Sequence, residues 1–429
     1  MNDTAAEQKT DLIVIGAGLA GSIATAFAAA RGIKTIQVGA TLGQTLFASG
    51  VLDLLGIHPP FVHSRWEDPW AGIASLINDQ PEHPYAKAGI ENIRRAWQTF
   101  FEMLQGAGLP YCGWGERNAT LATCAGTLKT TYQVPQTMWP GVLGLENKQP
   151  ALIIDFEGMK EFSGVQIVET LGDRWPGLRT HRLEFPSTFI GTDRQNIFMA
   201  EALEYPQIRT QLADAIAPLL EDVQLVGLPA ILGLQQHGTV IQDLEQKLGV
   251  SMFEIPTMPP SVPGLRLKEA LEKEALRGGA VTMHGMRVAT VQSDGRRGIR
   301  VSVKADHGEI SIEARGMILA TGRFLGGGLT ASRGGIRETL LDLPVHQPKH
   351  REDWHHASFL DPHGHPINRA GLEIDRSFRP LGQDGQIAYD KIFAAGSVLA
   401  HQDWVRTKCG AGLAIATAFA AVQSFVELG

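Results

Sequence analysis

An α/β fold is predicted for this chain because three strand-like runs each end at glycine and lead toward a helix. They are "DLIVIGAGLAG" near the start, "MILATGRF" in the last third and "IFAAGSVLA" close to the end. Glycine directly after a buried strand lets a ligand approach the backbone at the carboxyl edge of a parallel sheet. The three elements in this order predict a Rossmann-like FAD/NAD(P)-binding fold of the flavoprotein type with two dinucleotide-binding halves.

The middle of the chain has a different sequence pattern from the two ends, and it separates the two parts of this fold along the chain. Amphipathic helical patterns begin near residue 85 and continue to about 225. We interpret 85–225 as an inserted cap or substrate domain, flanked by the first part of the flavin-binding fold, 1–84, and by its second part, 226–429. A chain of 429 residues is long enough for this arrangement.

The first glycine motif has the spacing G-x-G-x-x-G, formed by Gly16, Gly18 and Gly21. The first glycine makes the tight turn, the second lets a phosphate approach, and the third lets helix and strand pack closely. Such units usually carry an acid about 20 residues further on, which binds a ribose, but Gly39 occupies that place. Loss of one ribose hydrogen bond weakens a dinucleotide by only about 1 kcal/mol, so Gly39 does not exclude one.

The two later elements supply the remaining candidate cofactor residues. Thr321 and Gly322 end the second strand, and Gly396 ends the third. A helix is predicted to begin near Gly410 with Gly412 just inside it. Its first N–H groups can point at a flavin carbonyl or at a phosphate.

The amino-acid composition indicates a globular enzyme and argues against several other classes of protein. Apolar residues make up 44% of the chain and charged residues 19%, which is typical of a globular enzyme, and the net charge of −7 gives no reason to expect nucleic acid. The three cysteines form no C-x-x-C pair and the histidines show no ligand spacing, so no metal site is expected. The uncharged run 12–30 approaches the length of a membrane span, but its glycines favour a strand and a helix, and no signal peptide is predicted.

Candidate residues for substrate chemistry are fewer. Arg333 and Arg337 follow the "LATGRF" element and could clamp an anionic substrate or a flavin phosphate, although surface charge on a glycine-rich loop explains them equally well. His58 and His83 are candidate bases on chemistry alone. The stiff run "IPTMPPSVPGLRL" carries Arg266 and is expected to shape one wall of a site.

Several strings together resemble the B subunit of the bacterial anaerobic glycerol-3-phosphate dehydrogenase. They are "IVIGAGLAG", "ASGVLDLL", "HPY", "IPTMPPSVPGLRL", "LATGRFLGGGL", "GIRE" and "FAAGSVLA" followed by "CGAGLAIA". The resemblance implies a flavoprotein subunit of a quinone-linked complex that oxidises sn-glycerol 3-phosphate to dihydroxyacetone phosphate during anaerobic respiration. It also implies two partners: the A subunit, which is the catalytic flavoprotein, and the C subunit, which is the iron–sulfur membrane anchor. The chain would then lie at the cytoplasmic side of the inner membrane, peripheral through these partners.

The resemblance implies FMN as the cofactor, whereas the full set of glycine motifs would accommodate the pyrophosphate of FAD. It also places Ser49 and Gly50, on the loop after the second strand, near the isoalloxazine. Two other functions stay open. The chain could be a non-catalytic flavin electron-relay subunit of the same complex, or a stand-alone fumarate-reductase-like dehydrogenase of a small acid.

Overall fold

The chain forms two compact units in the computed structural model, which describes residues 7–41, 43–186, 195–293, 298–305 and 308–428. Unit 1 comprises 1–44, 53–107 and 270–429, and unit 2 comprises 45–52 and 108–269. The bounds of unit 2 differ from the predicted insertion, 85–225. Periodicity identifies a helix or a strand but does not say which core it joins.

Two elements account for this difference in bounds. The helix Ile90–Gly106 belongs to unit 1, where Phe100 packs edge-on against Phe27 with ring centroids 6.4 Å apart. The sequence predicts that the strand Leu225–Pro229 restarts the nucleotide fold, but this strand lies in unit 2 and pairs there with Ser251–Ile255.

Unit 1 is built on a mixed sheet whose parallel half matches the predicted fold. The first strand lies between the second strand and the long strand that ends at the "ATG" turn. In spatial order the strands are Val281–His284, Thr35–Gly39, Glu7–Ile15, Gly308–Leu319, Ile299–Ala305 and Arg287–Ser293, with Ile392–Ala394 pairing parallel to Gly308–Leu319. The carboxyl ends of the parallel strands therefore meet at one edge, as the glycine motifs require.

The helices of unit 1 cover this sheet. The first and the last are rich in alanine and almost wholly buried, and Phe27 meets Phe419 edge-on between them with centroids 5.6 Å apart. The α-helices that lie wholly in the described part of unit 1 are Leu19–Ala30, Pro69–Asp79, Pro84–Ala88, Ile90–Gly106, Trp404–Thr407 and Gly410–Leu428. A small hairpin joins Leu329–Ser332 to Gly335–Glu338.

Unit 2 has a parallel sheet and a hydrophobic core of its own. Its strands lie in the order Ser251–Ile255, Leu225–Pro229, Ala151–Phe156 and Leu178–Leu183. Two antiparallel strand pairs are Tyr111–Cys112 with Val134–Pro135 and, between them in the chain, the hairpin of Ala119–Ala122 and Leu128–Thr131. Its helices are Trp139–Asn147, Gly164–Leu171, Asn196–Ala202, Pro206–Ile216 and His237–Leu248, while Val262–Arg277 begins in unit 2 and ends in unit 1.

One described helix, Gly410–Leu428, is long and apolar enough to cross a membrane, and 78% of its most apolar stretch is buried within the protein. The uncharged run 12–30 forms the end of the first strand and the first helix.

Candidate functional site

The glycine turn after the first strand has the close backbone packing that its spacing predicts. Gly16 has a φ of 126°, and a Cβ on it would overlap the carbonyl oxygen of Ala320. A Cβ on Gly21 would overlap the carbonyl oxygen of Gly16. These two glycines let the turn, the first helix and the end of the long strand approach one another, so they shape the site from within.

Gly18 differs from its two neighbours because it faces open space. No described atom lies within 4 Å of a Cβ built on it. It is the N-cap of the helix Leu19–Ala30, which has no acid in its first turn and no side-chain cap among the described residues. An uncapped helix start beside an open glycine is suited to bind a phosphate through its first N–H groups.

Packing explains why the second strand ends in glycine instead of an acid. A Cβ on Gly39 would overlap the Cβ of Ala17 in the glycine turn. Two residues earlier, the buried side chain of Gln37 donates from Nε2 to the carbonyl oxygen of Gly16 at 2.9 Å. The strand end therefore supports the turn directly and leaves no room there for a carboxylate side chain.

The turn after the long strand presents polar atoms that have no protein partner. The Oγ1 atom of Thr321 is buried and has no hydrogen-bond partner in the described chain. The Nε atom of Arg323 is also buried and without a partner among described groups, while its two terminal nitrogens donate to the carbonyl oxygens of Ile367 and Asn368. Unsatisfied buried polar atoms are rare in native structures, so these two are available to donate to a bound group. Sequence reasoning missed Arg323, although it directly follows Gly322.

The third element joins this group. Gly396 donates its N–H to Oγ1 of Thr417 at 2.8 Å, and a Cβ on it would lie 2.6 Å from the Cβ of Ala20 in the first helix. The hydroxyl oxygen of Ser397 lies 3.7 Å from the place of a Cβ on Gly322. The structure thus brings the ends of all three predicted strands to one side of the first helix.

Gly412 packs against a different neighbour, the loop that follows residue 53, while Gly410 packs against Trp404. Gly412 donates its N–H to the carbonyl oxygen of Asp53 at 2.8 Å, and a Cβ on it would overlap the hydroxyl of Tyr85. A Cβ on Gly410 would lie 2.9 Å from the ring of Trp404. Gly412 thus fixes the start of the last helix on this loop, and Gly410 lets Trp404 lie close to the same helix start.

Ser49 and Gly50 belong to unit 2. Gly50 is buried against Pro263, and its carbonyl oxygen accepts a hydrogen bond from the hydroxyl of Tyr111 at 2.7 Å. Ser49 is half-buried. Their predicted approach to an isoalloxazine stays a prediction.

The two arginines predicted to bind an anion lie on the small hairpin of unit 1. Arg333 is exposed at its tip. Arg337 is 67% exposed and donates to Asp342 from Nε at 3.1 Å and from a terminal nitrogen at 2.8 Å. The structure places both at the surface, with Arg337 already paired.

The two candidate bases, His58 and His83, are buried and differ in what their rings can do. Nδ1 of His83 accepts from the backbone N–H of Tyr85 at 3.1 Å, so its proton is on Nε2. Burial, followed by nearby positive charge, lowers the pKa of His83 to about 3. His83 therefore stays neutral near pH 7 and has no free lone pair with which to accept a proton.

His58 has the opposite arrangement. Its Nε2 lies 2.9 Å from Oδ2 of Asp79, and that hydrogen bond lowers the pKa of the Asp79 carboxyl. A carboxylate can only accept, so Nε2 carries the proton and Nδ1 of the neutral ring carries the lone pair. That Nδ1 is buried and has no partner in the described residues. A base oriented by a carboxylate with its other nitrogen free is the usual geometry of a general base.

Cys409 lies just before the last helix and acts as a packing residue, because its thiol is buried and stays protonated. It is fully buried, and burial raises the pKa of its thiol to about 12, partly offset by a hydrogen bond with Thr407 at 3.1 Å. Its thiolate is therefore disfavoured at neutral pH, and reactivity follows the thiolate.

Comparisons with known proteins agree with this geometry. The family model described as "FAD binding domain" matches residues 11–413. The B subunit of the anaerobic glycerol-3-phosphate dehydrogenase of Vibrio vulnificus (strain YJ016) is 31% identical over 97% of this chain and 96% of that protein. The corresponding protein of Yersinia pseudotuberculosis is 30% identical over 98% of this chain and 99% of that protein. The chain belongs to the family of anaerobic glycerol-3-phosphate dehydrogenase B subunits.

Solved structures show more distant likenesses. A 3-ketosteroid Δ1-dehydrogenase from Sterolibacterium denitrificans is 11% identical, with 98% of this chain and 100% of that chain covered at a TM-score of 0.47. A quinol fumarate reductase chain from E. coli is 10% identical, with 99% and 70% covered at a TM-score of 0.41.

For this member of the B-subunit family, the Rossmann-like FAD-binding fold predicted from the glycine motifs is confirmed. The residues also fit the cofactor that the family model names. Gly18 provides an open helix start, and Thr321 and Arg323 provide buried polar atoms without partners among the described residues. FMN, which the resemblance implies, has no specific support in these comparisons.

Proposed function

We propose that this chain is the FAD-binding B subunit of an anaerobic glycerol-3-phosphate dehydrogenase, in which sn-glycerol 3-phosphate is oxidised to dihydroxyacetone phosphate. The observation that carries the proposal is similarity to such proteins over essentially their whole length, at 30–31% identity. The electrons would pass through the partner A and C subunits to the quinone pool. Those partners would hold the chain at the cytoplasmic face of the membrane.

The chain's own residues would bind and orient the cofactor. The glycine turn and the start of the first helix would hold the pyrophosphate, and Thr321 with Nε of Arg323 would donate hydrogen bonds to its oxygens or to the adjoining ribose. At the start of the last helix, Gly410 would direct its N–H at the flavin ring, whereas Gly412 already donates its own N–H to Asp53. When bound, FAD supplies the acceptor for the hydride of an alcohol carbon.

His58 would be the base that removes the hydroxyl proton. Asp79 holds its ring in the tautomer that exposes the Nδ1 lone pair and would stabilise the imidazolium that forms. His83, whose free nitrogen carries a proton, could only donate a hydrogen bond. Two histidines that are equivalent candidates in the sequence therefore have different proposed roles.

Arg337 and Arg333 would bind the substrate phosphate. Arg337 would have to leave Asp342, but an exposed ion pair is typically worth only about 0–1 kcal/mol, so this exchange costs little. A phosphate carries more charge than a carboxylate and can accept from both guanidinium nitrogens in parallel, whereas in the pair with Asp342 both nitrogens donate to the single Oδ1 atom.

The test is anaerobic bleaching of the bound flavin by sn-glycerol 3-phosphate in the purified chain. We expect bleaching in the unaltered chain and a rate about a hundredfold lower in His58→Gln, because a positioned base typically contributes a factor of that order. His83→Asn is the matched control, since asparagine can also accept from the N–H of Tyr85, and its rate should stay within a few-fold. Equal losses in the two variants would argue against His58 as the base.

A second candidate function is electron relay without substrate chemistry. It is favoured by the exposure of both arginines on the hairpin, which are not enclosed around an anion site. A relay protein would keep its flavin colour when glycerol 3-phosphate is added to the chain alone and would lose it only when the A subunit is present. The same measurement therefore separates the two functions.

A further inference from the structure

Two histidines and a glutamate that have no part in the proposed reaction converge in unit 1. The ligand atoms of His346, Glu373 and His401 all lie within 4.8 Å of one another. Oε1 of Glu373 lies 2.9 Å from Nε2 of His401 and 3.6 Å from Nδ1 of His346. We call these three residues the His-Glu-His triad.

The backbone holds the triad in place through three separate segments. The N–H of His346 donates to the carbonyl oxygen of Gly371 at 2.8 Å, and the reverse bond measures 3.1 Å. The N–H of Ala400 donates to the carbonyl oxygen of Leu372 at 2.9 Å, which fixes the residues before His401 beside those before Glu373. The triad is therefore supported by main-chain pairing, which limits how far its members can separate.

We propose that the His-Glu-His triad binds one divalent transition-metal ion, with zinc the best match. Imidazole nitrogens and a carboxylate oxygen are ordinary zinc ligands, and two histidines with one glutamate form a known ligand set. Ligand atoms at zinc-bond distance from a tetrahedral ion lie about 3.3–3.4 Å apart. The two separations from the Glu373 oxygen, 2.9 and 3.6 Å, bracket that value, and the two imidazole nitrogens lie within 4.8 Å of each other.

A simple hydrogen-bonded cluster accounts less well for this geometry. Both imidazoles face the same carboxylate oxygen, and their ring centroids are only 4.1 Å apart. Only the 2.9 Å contact of His401 has hydrogen-bond length. A cation among the three atoms would satisfy both nitrogens and the carboxylate at once.

The surroundings leave room for the remaining ligands of the ion. Glu373 and His401 line a cavity of about 130 Å³, together with Glu82 and Lys87. A water molecule occupies about 30 Å³ in the liquid, so a few waters could complete the coordination there. Glu82 pairs with Lys87 at 2.7 Å, and its carboxylate faces the same cavity. The exposed fractions of His346 and Glu373, 42% and 50%, give an ion access from solvent.

The experiment is calorimetric titration of the purified, tag-free chain with zinc chloride, followed by elemental analysis of the dialysed protein. We expect one equivalent per chain, with affinity lowered at least tenfold in Glu373→Gln and in His401→Asn. Asparagine suits His401 because the residue has a φ of 61°, a left-handed conformation that asparagine tolerates. His346→Ala provides a third variant in which the backbone pairing with Gly371 is kept.

The control is His363→Asn, which removes an exposed histidine paired only with Asp361 among the charged groups described. It should bind zinc like the unaltered chain, and circular dichroism should show that every variant is folded. Failure of the unaltered chain to bind an equivalent would overturn the proposal. Unchanged binding in the three folded triad variants would do the same. Neither readout needs flavin or substrate, so the result is independent of the proposed function.

Discussion

Replacing Gly18 by alanine should abolish most flavin binding while leaving the fold intact. No described atom approaches within 4 Å of the new methyl group, so only the difference between glycine and alanine at an N-cap is lost, about 1 kcal/mol or less. The methyl group would occupy the approach of a phosphate to the helix start, and we expect flavin affinity to fall at least tenfold. Fluorescence titration with FAD and thermal unfolding of the apoprotein measure the two effects separately.

Gly16→Ala is the contrasting variant and should act on the fold itself. Alanine at a φ of 126° is strained by about 1–3 kcal/mol, and its Cβ would also overlap the carbonyl oxygen of Ala320. We expect unit 1 to lose more than about 3 kcal/mol of unfolding free energy. If Gly18→Ala bound FAD normally, the turn would be structural only and the cofactor site would have to lie elsewhere.

Breaking the buried ion pair of unit 2 should give the second large effect. The guanidinium of Arg266 donates to both oxygens of Glu254 at 2.6 and 2.8 Å and to the carbonyl oxygen of Gly233, and the two side chains are only 2% and 0% exposed. Burial alone would raise the pKa of Glu254, but the charge and hydrogen bonds of Arg266, with further hydrogen bonds from Thr137 and Leu232, together hold the pKa below its ordinary value. Arg266→Met would leave a buried carboxylate without its cation and should cost about 3–5 kcal/mol in chemical unfolding.

Two further variants show whether the loss comes from the unpaired charge. Arg266→Met combined with Glu254→Gln should recover a large part of the stability, because the amide oxygen can still accept from the N–H of Leu232. Arg337→Met removes an exposed arginine from its pair with Asp342 and should cost no more than about 1 kcal/mol. Equal losses for Arg266→Met and Arg337→Met would contradict the assigned role of the buried pair.

The nucleotide fold could be predicted from the sequence because its signals are local. The strand, the glycine turn and the first helix follow one another within residues 7–30. The spacing of the glycines predicts the steric role of each one. The sequence shows that Gly39 stands where an acid is expected, but it does not show why. The reason is that a side chain at this position would overlap Ala17 in the glycine turn.

Features that depend on distant residues could not be predicted in this way. His58 and Asp79 are 21 residues apart, and Arg266 meets Glu254 only because a helix and a strand pack together. The sequence predicts Arg266 in a wall of a site, whereas it is part of the buried core of unit 2. The members of the His-Glu-His triad show no ligand spacing, because strand-like pairing of separate loops brings them together.

The bounds of the two units also could not be predicted from the sequence. The parallel strands of unit 2 are short buried runs separated by helices, and such runs read equally well as parts of the neighbouring nucleotide fold. Which sheet a strand joins is decided by packing of whole layers, to which a single strand contributes little.

The central claim is that this member of the B-subunit family binds FAD at the glycine turn. The most direct measurement is to purify the chain, denature it, and identify the released cofactor by chromatography against FAD and FMN. We expect FAD at about one equivalent per folded chain, with little or none released from Gly18→Ala. Release of FMN, or of no flavin from a chain reconstituted with FAD, would contradict the claim.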